Sequence, residues 1–373
     1  MNENLALNVE ERSLPESDLR WLASFANALS SVGYQPTIAA LFPLYPWRQE
    51  LPRLANIPRP ALAACVDLFF RGKKVPIEEL PAGIRPFLPK LADLGMLVIS
   101  PSGVASAERF VLNWSHGVLL WHERPSATMT LYFGPESVAL GLRIDPEVGS
   151  RVLDLCAGPG FQTLVAARKA REVVAVEINP AAAGLLTLNA ALNQLTNIKV
   201  ICADLVDVQL EGRFDMLIAN PPLVPIPQDI SYVLCGDGGP DGLWVTRKIL
   251  GRLDDWLTET GRIHFVGYSY DTSAYGPLAQ DLSSACSVDM DLLMVVTGTF
   301  DCAEGTPAFA QLVSSLVMHG KADRQTSSVE ISNYIKAHDI KWLHCFHVSG
   351  QRSSAPRISV LDFGQTDYGG WFA

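Results

Sequence analysis

From residue 151 onward the chain keeps one rhythm: short apolar strand, helical stretch, short apolar strand, helical stretch. No other feature constrains its fold as tightly. Strands read at 151–156, 172–177, 198–202, 214–219 and 262–267, with helical spacing between them. Successive strands separated by helices must lie parallel and be joined by right-handed crossovers, with helices covering both faces of the sheet. The expected architecture is therefore α/β and Rossmann-like. Further strands at 289–297, 341–347 and 357–363, and helical stretches at 306–318 and 328–338, extend it. No internal repeat or low-complexity tract interrupts the pattern.

Upstream the character changes. The first 55 residues mix helical signals with prolines, and residues 16–33 carry Leu19, Leu22, Ala23, Phe25, Ala26 and Leu29 at helical spacing. Residues 60–72 read as a helix stopped by Gly72. Residues 84–94 read as a second helix stopped by Gly95. A β-hairpin region follows, with a turn at 101–103. Helix, helix, hairpin is a winged-helix pattern, which has two readings: a DNA reader, or a packing or lid module. The second helix carries only Arg85 and Lys90 as bases and is broken by prolines, which favours the packing module. The expected division is a helical, winged-helix-like domain at 1–125 and a catalytic domain at 126–373.

Charge supports that division. Of 29 Lys+Arg and 39 Asp+Glu, residues 1–125 hold 12 of each, so 126–373 holds 17 against 27 and all of the net −10. A phosphate backbone wants clustered Lys/Arg, so an acidic catalytic half argues against a nucleic-acid partner. Seven scattered cysteines without CxxC suggest a reduced, cytoplasmic protein without a disulfide framework. The acidic, polar start does not read as a secretory leader. No apolar run approaches the ~20 residues that span a bilayer, so no membrane role is expected.

The motifs sit where the strands end. VLDLCAGPGF turns at Gly158 and Gly160, where a bare backbone lets a ligand approach the carboxyl edge of the sheet. The third glycine of a dinucleotide loop is missing, so a ligand without a pyrophosphate is expected. Glu177 ends the second strand, where a carboxylate can accept both hydroxyls of a ribose. Asp204 ends the third, placed for an adenine amino group. The set outlines an adenosine site; taken singly, each acid could instead cap a helix.

The fourth strand, FDMLIAN, runs into Asn220, Pro221, Pro222 and Leu223. With DLCAGPG, VEIN, LNAALNQL, CAD and GDGGPDGLWVTRKIL in this order, residues 126–270 resemble the class I S-adenosylmethionine-dependent methyltransferases that bear NPP, and among them the HemK/PrmC protein-glutamine methyltransferases. The resemblance implies a seven-stranded Rossmann-like sheet preceded by a smaller domain. It also implies S-adenosyl-L-methionine as cofactor, held by Asp154, Gly158, Gly160, Glu177, Asp204 and Asn220.

A planar amide, guanidinium or exocyclic amine nitrogen is a poor nucleophile because its lone pair is delocalised. The Asn220 side-chain oxygen and the Pro221 carbonyl can hold its two N–H groups and aim the lone pair at the methyl carbon. Orientation of this kind contributes up to ~7–11 kcal/mol in favourable cases. The family usually follows NPP with an aromatic residue; here it is Leu223. Tyr132 or Phe133, in YFGPES with Glu136, could supply the missing stacking surface. In the glycine-rich loop before residue 244, Asp237 or Asp241 could hold a cationic acceptor or simply cap the following helix. His344, Cys345 and His347 alternate across a strand, which argues against a metal site. The expected activity is methyl transfer to a planar amide or guanidinium-like nitrogen of a small metabolite, such as an amino acid like arginine, or of a protein glutamine. The alternatives are an RNA or DNA exocyclic-amine methyltransferase, or a non-catalytic binding or transcriptional module.

Overall fold

The structure, a computed structural model, describes residues 15–41, 59–126, 128–227, 230–273, 276–320, 323–364 and 370–371. The acidic start and the proline-interrupted stretch within 42–55 lie outside the described residues.

Helix α1 (Glu16–Val32) forms where the apolar spacing predicts it. It buries Leu22, Phe25, Ala26 and Leu29, and stops at Gly33, whose φ of 84° is left-handed. Helix α2 is Tyr34–Leu41. Helix α3 (Pro60–Cys65) continues through one π turn, Val66–Phe70, up to the positive-φ Gly72. The second predicted helix is broken, as its prolines require. Arg85–Phe87 is a 3₁₀ turn and only α4 (Leu88–Asp93) is α-helical.

Three very short strands, β1 (Val75–Pro76), β2 (Val98–Ile99) and β3 (Val104–Ser106), form an antiparallel sheet in the order β1-β3-β2. The predicted turn at 101–103 joins β2 to β3. A separate hairpin, β4 (Phe110–Ser115) and β5 (Val118–Glu123), follows.

The central sheet contains β6 (Arg151–Leu155), β7 (Glu172–Glu177), β8 (Ile198–Cys202), β9 (Phe214–Ala219), β10 (Leu257–Asp271), β11 (Met290–Asp301), β12 (Trp342–Arg352) and β13 (Arg357–Asp362). Their order is β13-β11-β12-β10-β9-β6-β7-β8. Strand β12 runs antiparallel to both neighbours and the rest are parallel to theirs. The seven strands expected from the resemblance are present. An eighth, β13, adds itself at the edge, where β11 would otherwise leave its ladder unpaired.

Alternate residues of each central strand feed two cores. Val152, Val173, Met216 and Ile218 pack toward α5 (Pro135–Gly141) and α6 (Phe161–Ala167). Leu153, Leu155, Val174 and Leu217 pack toward α8 (Trp244–Leu250), α9 (Leu253–Trp256) and α10 (Gly276–Ala285). Both faces of the sheet are therefore buried, as a parallel sheet needs.

Helix α7 (Pro180–Leu192) is the joint between the two halves. Ala182, Leu185, Leu188 and Leu192 share one core with α1 and α3. Its asparagines close the open edge of β5. The Trp121 N–H donates to Asn189 Oδ1 and the Leu119 N–H to Asn193 Oδ1, both at 2.8 Å. The amide nitrogens of Asn189 and Asn193 donate back to the carbonyls of Trp121 and Leu119. Two side chains one helical turn apart thus satisfy four backbone groups of an edge strand. Last, α11 (Pro307–His319) and α12 (Arg324–Ala337) lie between β11 and β12 in sequence. They pack with Tyr270, Cys302 and Leu343 as a third core.

Candidate active site

Parallel register brings the ends of β6, β7, β8 and β9 to one edge: Leu155 pairs with Val176 and Ala219, and Glu177 with Cys202. The residues just past those ends line a cavity of about 510 Å³ that includes Gly158, Glu177, Asp204, Asn220 and Pro222. This is the edge where open α/β sheets bind ligands.

The glycine loop is shaped by its backbone. Gly158 has φ 55° and faces the cavity with no side chain. Gly160, at φ 95°, starts α6, and a Cβ there would lie 2.5 Å from Leu186 Cγ of α7. Its role is close packing of loop and helix; it does not line the cavity. Asn189 Nδ2 also holds the Pro159 carbonyl at 2.9 Å, tying the loop to α7. The Glu177 carboxylate accepts the Gly158 N–H at 2.7 Å and the Asn179 N–H at 2.8 Å. Burial raises its pKa, and these backbone donors partly offset the rise.

Asp154 is buried behind the loop and accepts from the Thr163 hydroxyl on α6. Burial pushes its pKa up to about 7. It is not among the residues that line the cavity, and its bond is to the helix that follows the loop. Asp204 lines the cavity while its Oδ1 also accepts the Val206 N–H at 2.9 Å, so the ligand and turn readings coexist.

Four apolar side chains around this cavity stay open to solvent: Ile178, Val206, Leu234 and Trp244 are 43–62% exposed. Apolar surface of that kind is what a flat aromatic base would cover. With the ribose-type carboxylate of Glu177 and a side-chain-free approach at Gly158, the residues fit S-adenosylmethionine.

A second cavity, of about 520 Å³, adjoins the first, and the two share Tyr132, Asn220 and Cys235. The NPP turn divides its side chains between them. Asn220 faces both, Pro221 and Leu223 face the second, and Pro222 faces the first. Glu136 and Tyr132 of the YFGPES segment line the second cavity too. Phe133 does not: it is packed between His122 and Phe161, at centroid distances of 5.0 and 4.9 Å, and lines only the first cavity. The rings that line the second cavity are Tyr132, Tyr232, Tyr268, Phe300 and Trp371. Those last four lie far apart in sequence, and no motif flags them.

Hydrogen-bond polarity fixes the orientation of Asn220. Glu136 is an acceptor only, and takes the Tyr132 hydroxyl at 3.0 Å and the Ser137 hydroxyl at 3.1 Å. Having given its one proton to Glu136, Ser137 Oγ can only accept from Asn220, so it faces the amide nitrogen, at 2.9 Å. The Asn220 carbonyl oxygen is then the end left to receive an N–H group. Burial raises the pKa of Glu136, and its bonds from Tyr132, Ser137 and Asn220 partly offset the rise.

Asp237 and Asp241 line neither cavity. Asp237 accepts the Gly239 N–H at 3.0 Å. Asp241 accepts the Leu243 N–H at 3.1 Å and pairs with Arg247, which also bridges to Asp281. Both acids hold the loop and the start of α8, in line with the capping alternative that the sequence left open. Of the late histidines, His344 Nδ1 is bonded to Thr299 Oγ1 at 3.0 Å and His347 Nε2 to the Trp371 carbonyl at 3.2 Å. Among the described residues no cluster of three or more metal-type ligands occurs, no helix is long and apolar enough to cross a membrane, and the seven cysteines form no disulfide.

A sheet with this strand order, a glycine loop after its first strand, a carboxylate ending the second and NPP ending the fourth define a class I S-adenosylmethionine-dependent methyltransferase. Comparison with known proteins agrees. The family model described as TRM5/TYW2 methyltransferase domain matches residues 129–225. A Methanocaldococcus jannaschii protein named as a protein N5-glutamine methyltransferase is 31% identical over 157 residues, which is 39% of this chain and 79% of that protein. The release factor glutamine methyltransferase of Mycolicibacterium smegmatis is 33% identical over 124 residues, 30% of this chain and 43% of that one, so the chain spans less than half of that relative's length. Among solved structures, the M. jannaschii tRNA m1G37 methyltransferase superposes with a TM-score of 0.40 at 18% identity, covering 66% of this chain and 58% of its own. The chain belongs to the HemK/PrmC-like class I methyltransferases, and S-adenosylmethionine is its cofactor.

Proposed function

We propose that this chain methylates a planar amide or guanidinium-like nitrogen, on a small metabolite or a protein glutamine, with the donor in the first cavity and the acceptor in the second. The observation that carries this reading is Asn220 at the junction of the two cavities, its amide turned by Ser137 so that oxygen is the open end. S-adenosylmethionine, when bound, supplies an electrophilic methyl group. Asn220 Oδ1 and the Pro221 carbonyl hold the acceptor's N–H groups, fix the plane of the nitrogen and stabilise positive charge developing on it. Glu177 holds the ribose, and Gly158 leaves room for the amino-acid end.

We assign residues 1–125 the role of a helical, winged-helix-like buttress for α7 and the glycine loop. The core shared between α1 and α7, and the asparagine bonds to β5, support this.

The experiment is isothermal calorimetry with S-adenosylmethionine, followed by methyl transfer from labelled donor to glutamine-bearing peptides, free amino acids and tRNA. Donor binding with transfer to a nitrogen of a peptide or amino acid supports the reading; no donor binding ends it. The match to the TRM5/TYW2 domain favours one second reading, methylation of RNA. Transfer to tRNA, with binding that weakens steeply as salt rises, would select it.

A further inference from the structure

The second cavity carries a carboxylate, Glu136, that pairs with no lysine or arginine among the described residues; the cavity's one lining histidine among them is His319. Glu136 is 4% exposed, and its hydrogen-bond donors are its own backbone N–H and the neutral side chains of Tyr132, Ser137 and Asn220. Among the described residues no lysine or arginine lines this cavity. Withdrawing a carboxylate from water costs several kcal/mol unless a cation and further hydrogen bonds compensate. The neutral donors meet part of that cost, but none of them supplies the positive charge that would balance the carboxylate.

The surrounding walls favour the same kind of guest. Five rings, Tyr132, Tyr232, Tyr268, Phe300 and Trp371, line the cavity. Tyr268 and Trp371 lie 6.3 Å apart between centroids, tilted by 47°, and the Trp371 carbonyl is hydrogen-bonded to His347. Aromatic faces attract cations, and a flat guanidinium both stacks on them and pairs with a carboxylate. A glutamine amide is planar but neutral and leaves the carboxylate unbalanced. Four of these rings also lie outside the stretch that matches the family model, residues 129–225, so the acceptor chemistry of the relatives need not carry over.

We propose, taking N-methyl transfer as read above, that the acceptor is the guanidinium of a small molecule, held between Glu136 and the aromatic walls, with Glu136 as the base that frees the attacking nitrogen. In the step this implies, a guanidinium proton passes to a Glu136 oxygen. The freed lone pair forms the N–CH₃ bond while the S–CH₃ bond breaks and its electron pair stays on sulfur. The product is a methylguanidinium cation, and Glu136 returns its proton to water.

The test compares isosteric probes of different charge on the full chain with S-adenosylhomocysteine bound. L-arginine is paired with L-citrulline, and methylguanidine with methylurea. Calorimetry is expected to show the guanidines binding at least about ten-fold tighter than their ureas. With labelled donor, mass spectrometry is expected to show one added methyl group on arginine or methylguanidine and none on citrulline. Glu136→Gln keeps the shape and removes the charge. It is expected to bring the guanidine-to-urea affinity ratio near one while the calorimetric affinity for the donor stays the same. Equal binding of guanidines and ureas by the native chain overturns the proposal without any variant, and so does a preference that survives in Glu136→Gln. Methylation of glutamine-bearing peptides but not of guanidines also overturns it, and leaves N-methyl transfer standing. Failure to bind the donor at all removes both.

Discussion

The two cavities, proposed above to take donor and acceptor, have nearly the same volume, about 510 and 520 Å³, and share Asn220, yet they are built in opposite ways. The donor cavity gathers residues that directly follow consecutive parallel strands, so each lies at a motif: Gly158 after β6, Glu177 at the end of β7, Asp204 after β8 and Asn220 after β9. The acceptor cavity gathers Glu136 from α5, Tyr232 from a loop, Tyr268 from β10, Phe300 from β11, Ser315 from α11 and Trp371 from near the end of the chain. The comparison teaches that the cofactor side is written into the fold, whereas the acceptor side is an addition to it. A side built from separate additions can change acceptor without disturbing the donor.

Substitutions that act on both sides, one side or neither test this division. Asn220→Ala strikes the junction and has the largest expected effect. It should lower kcat by roughly 10²–10³ and leave donor affinity nearly unchanged, since its oxygen acts on the nitrogen in the transition state. Single-turnover kinetics beside donor calorimetry would check this, and full activity would reduce NPP to a turn.

Glu177→Ala acts on the donor side alone. Donor binding should weaken by about 1–3 kcal/mol, the scale of a lost charged hydrogen bond, with the acceptor KM unmoved. An acceptor KM that rose equally would show that the cavities are not separable.

Trp371→Ala acts on the acceptor side alone. Loss of one aromatic wall should raise the acceptor KM by about ten-fold, in line with a stacking contribution of ~0.5–1.5 kcal/mol plus lost apolar contact, and leave donor Kd within error. Unchanged steady-state kinetics would remove Trp371 from the site.

Asp237→Asn acts on neither. Its oxygen serves the Gly239 N–H, a bond the Asn side chain can also accept. Both kinetic constants should stay within about two-fold. A large rise in acceptor KM would restore Asp237 as an acceptor ligand.

The strands, the two-faced core and the donor site were legible because they rest on local rules. Near-continuous apolar strands such as 214–219 call for a sheet with helices on both faces, and residues at the ends of parallel strands fall on one edge whatever the loops do. The proline-broken helix at 85–93 was legible for the same reason. Two alternatives that the sequence left open depend on which groups the fold brings to them. Asp237 and Asp241 look like free acids beside a glycine-rich loop, but Gly239, Leu243 and Arg247 occupy them. Phe133 looks like a stacking ring next to Tyr132, but His122 and Phe161 draw it into the core. The LNAALNQL segment was noted only as part of a resemblance, yet Asn189 and Asn193 seal the edge of β5 some 70 residues upstream.

By itself the sequence determined the sheet and the cofactor class and singled out Asn220, because period, turn chemistry and strand-end position act over a few residues. Only the tertiary structure decided which rings wall the acceptor cavity, which acids are already bonded, and which end of the Asn220 amide is open. Those depend on contacts between segments far apart in the chain. The Asn220 orientation depends further on a single hydroxyl proton, given by Ser137 to Glu136, which no sequence pattern encodes.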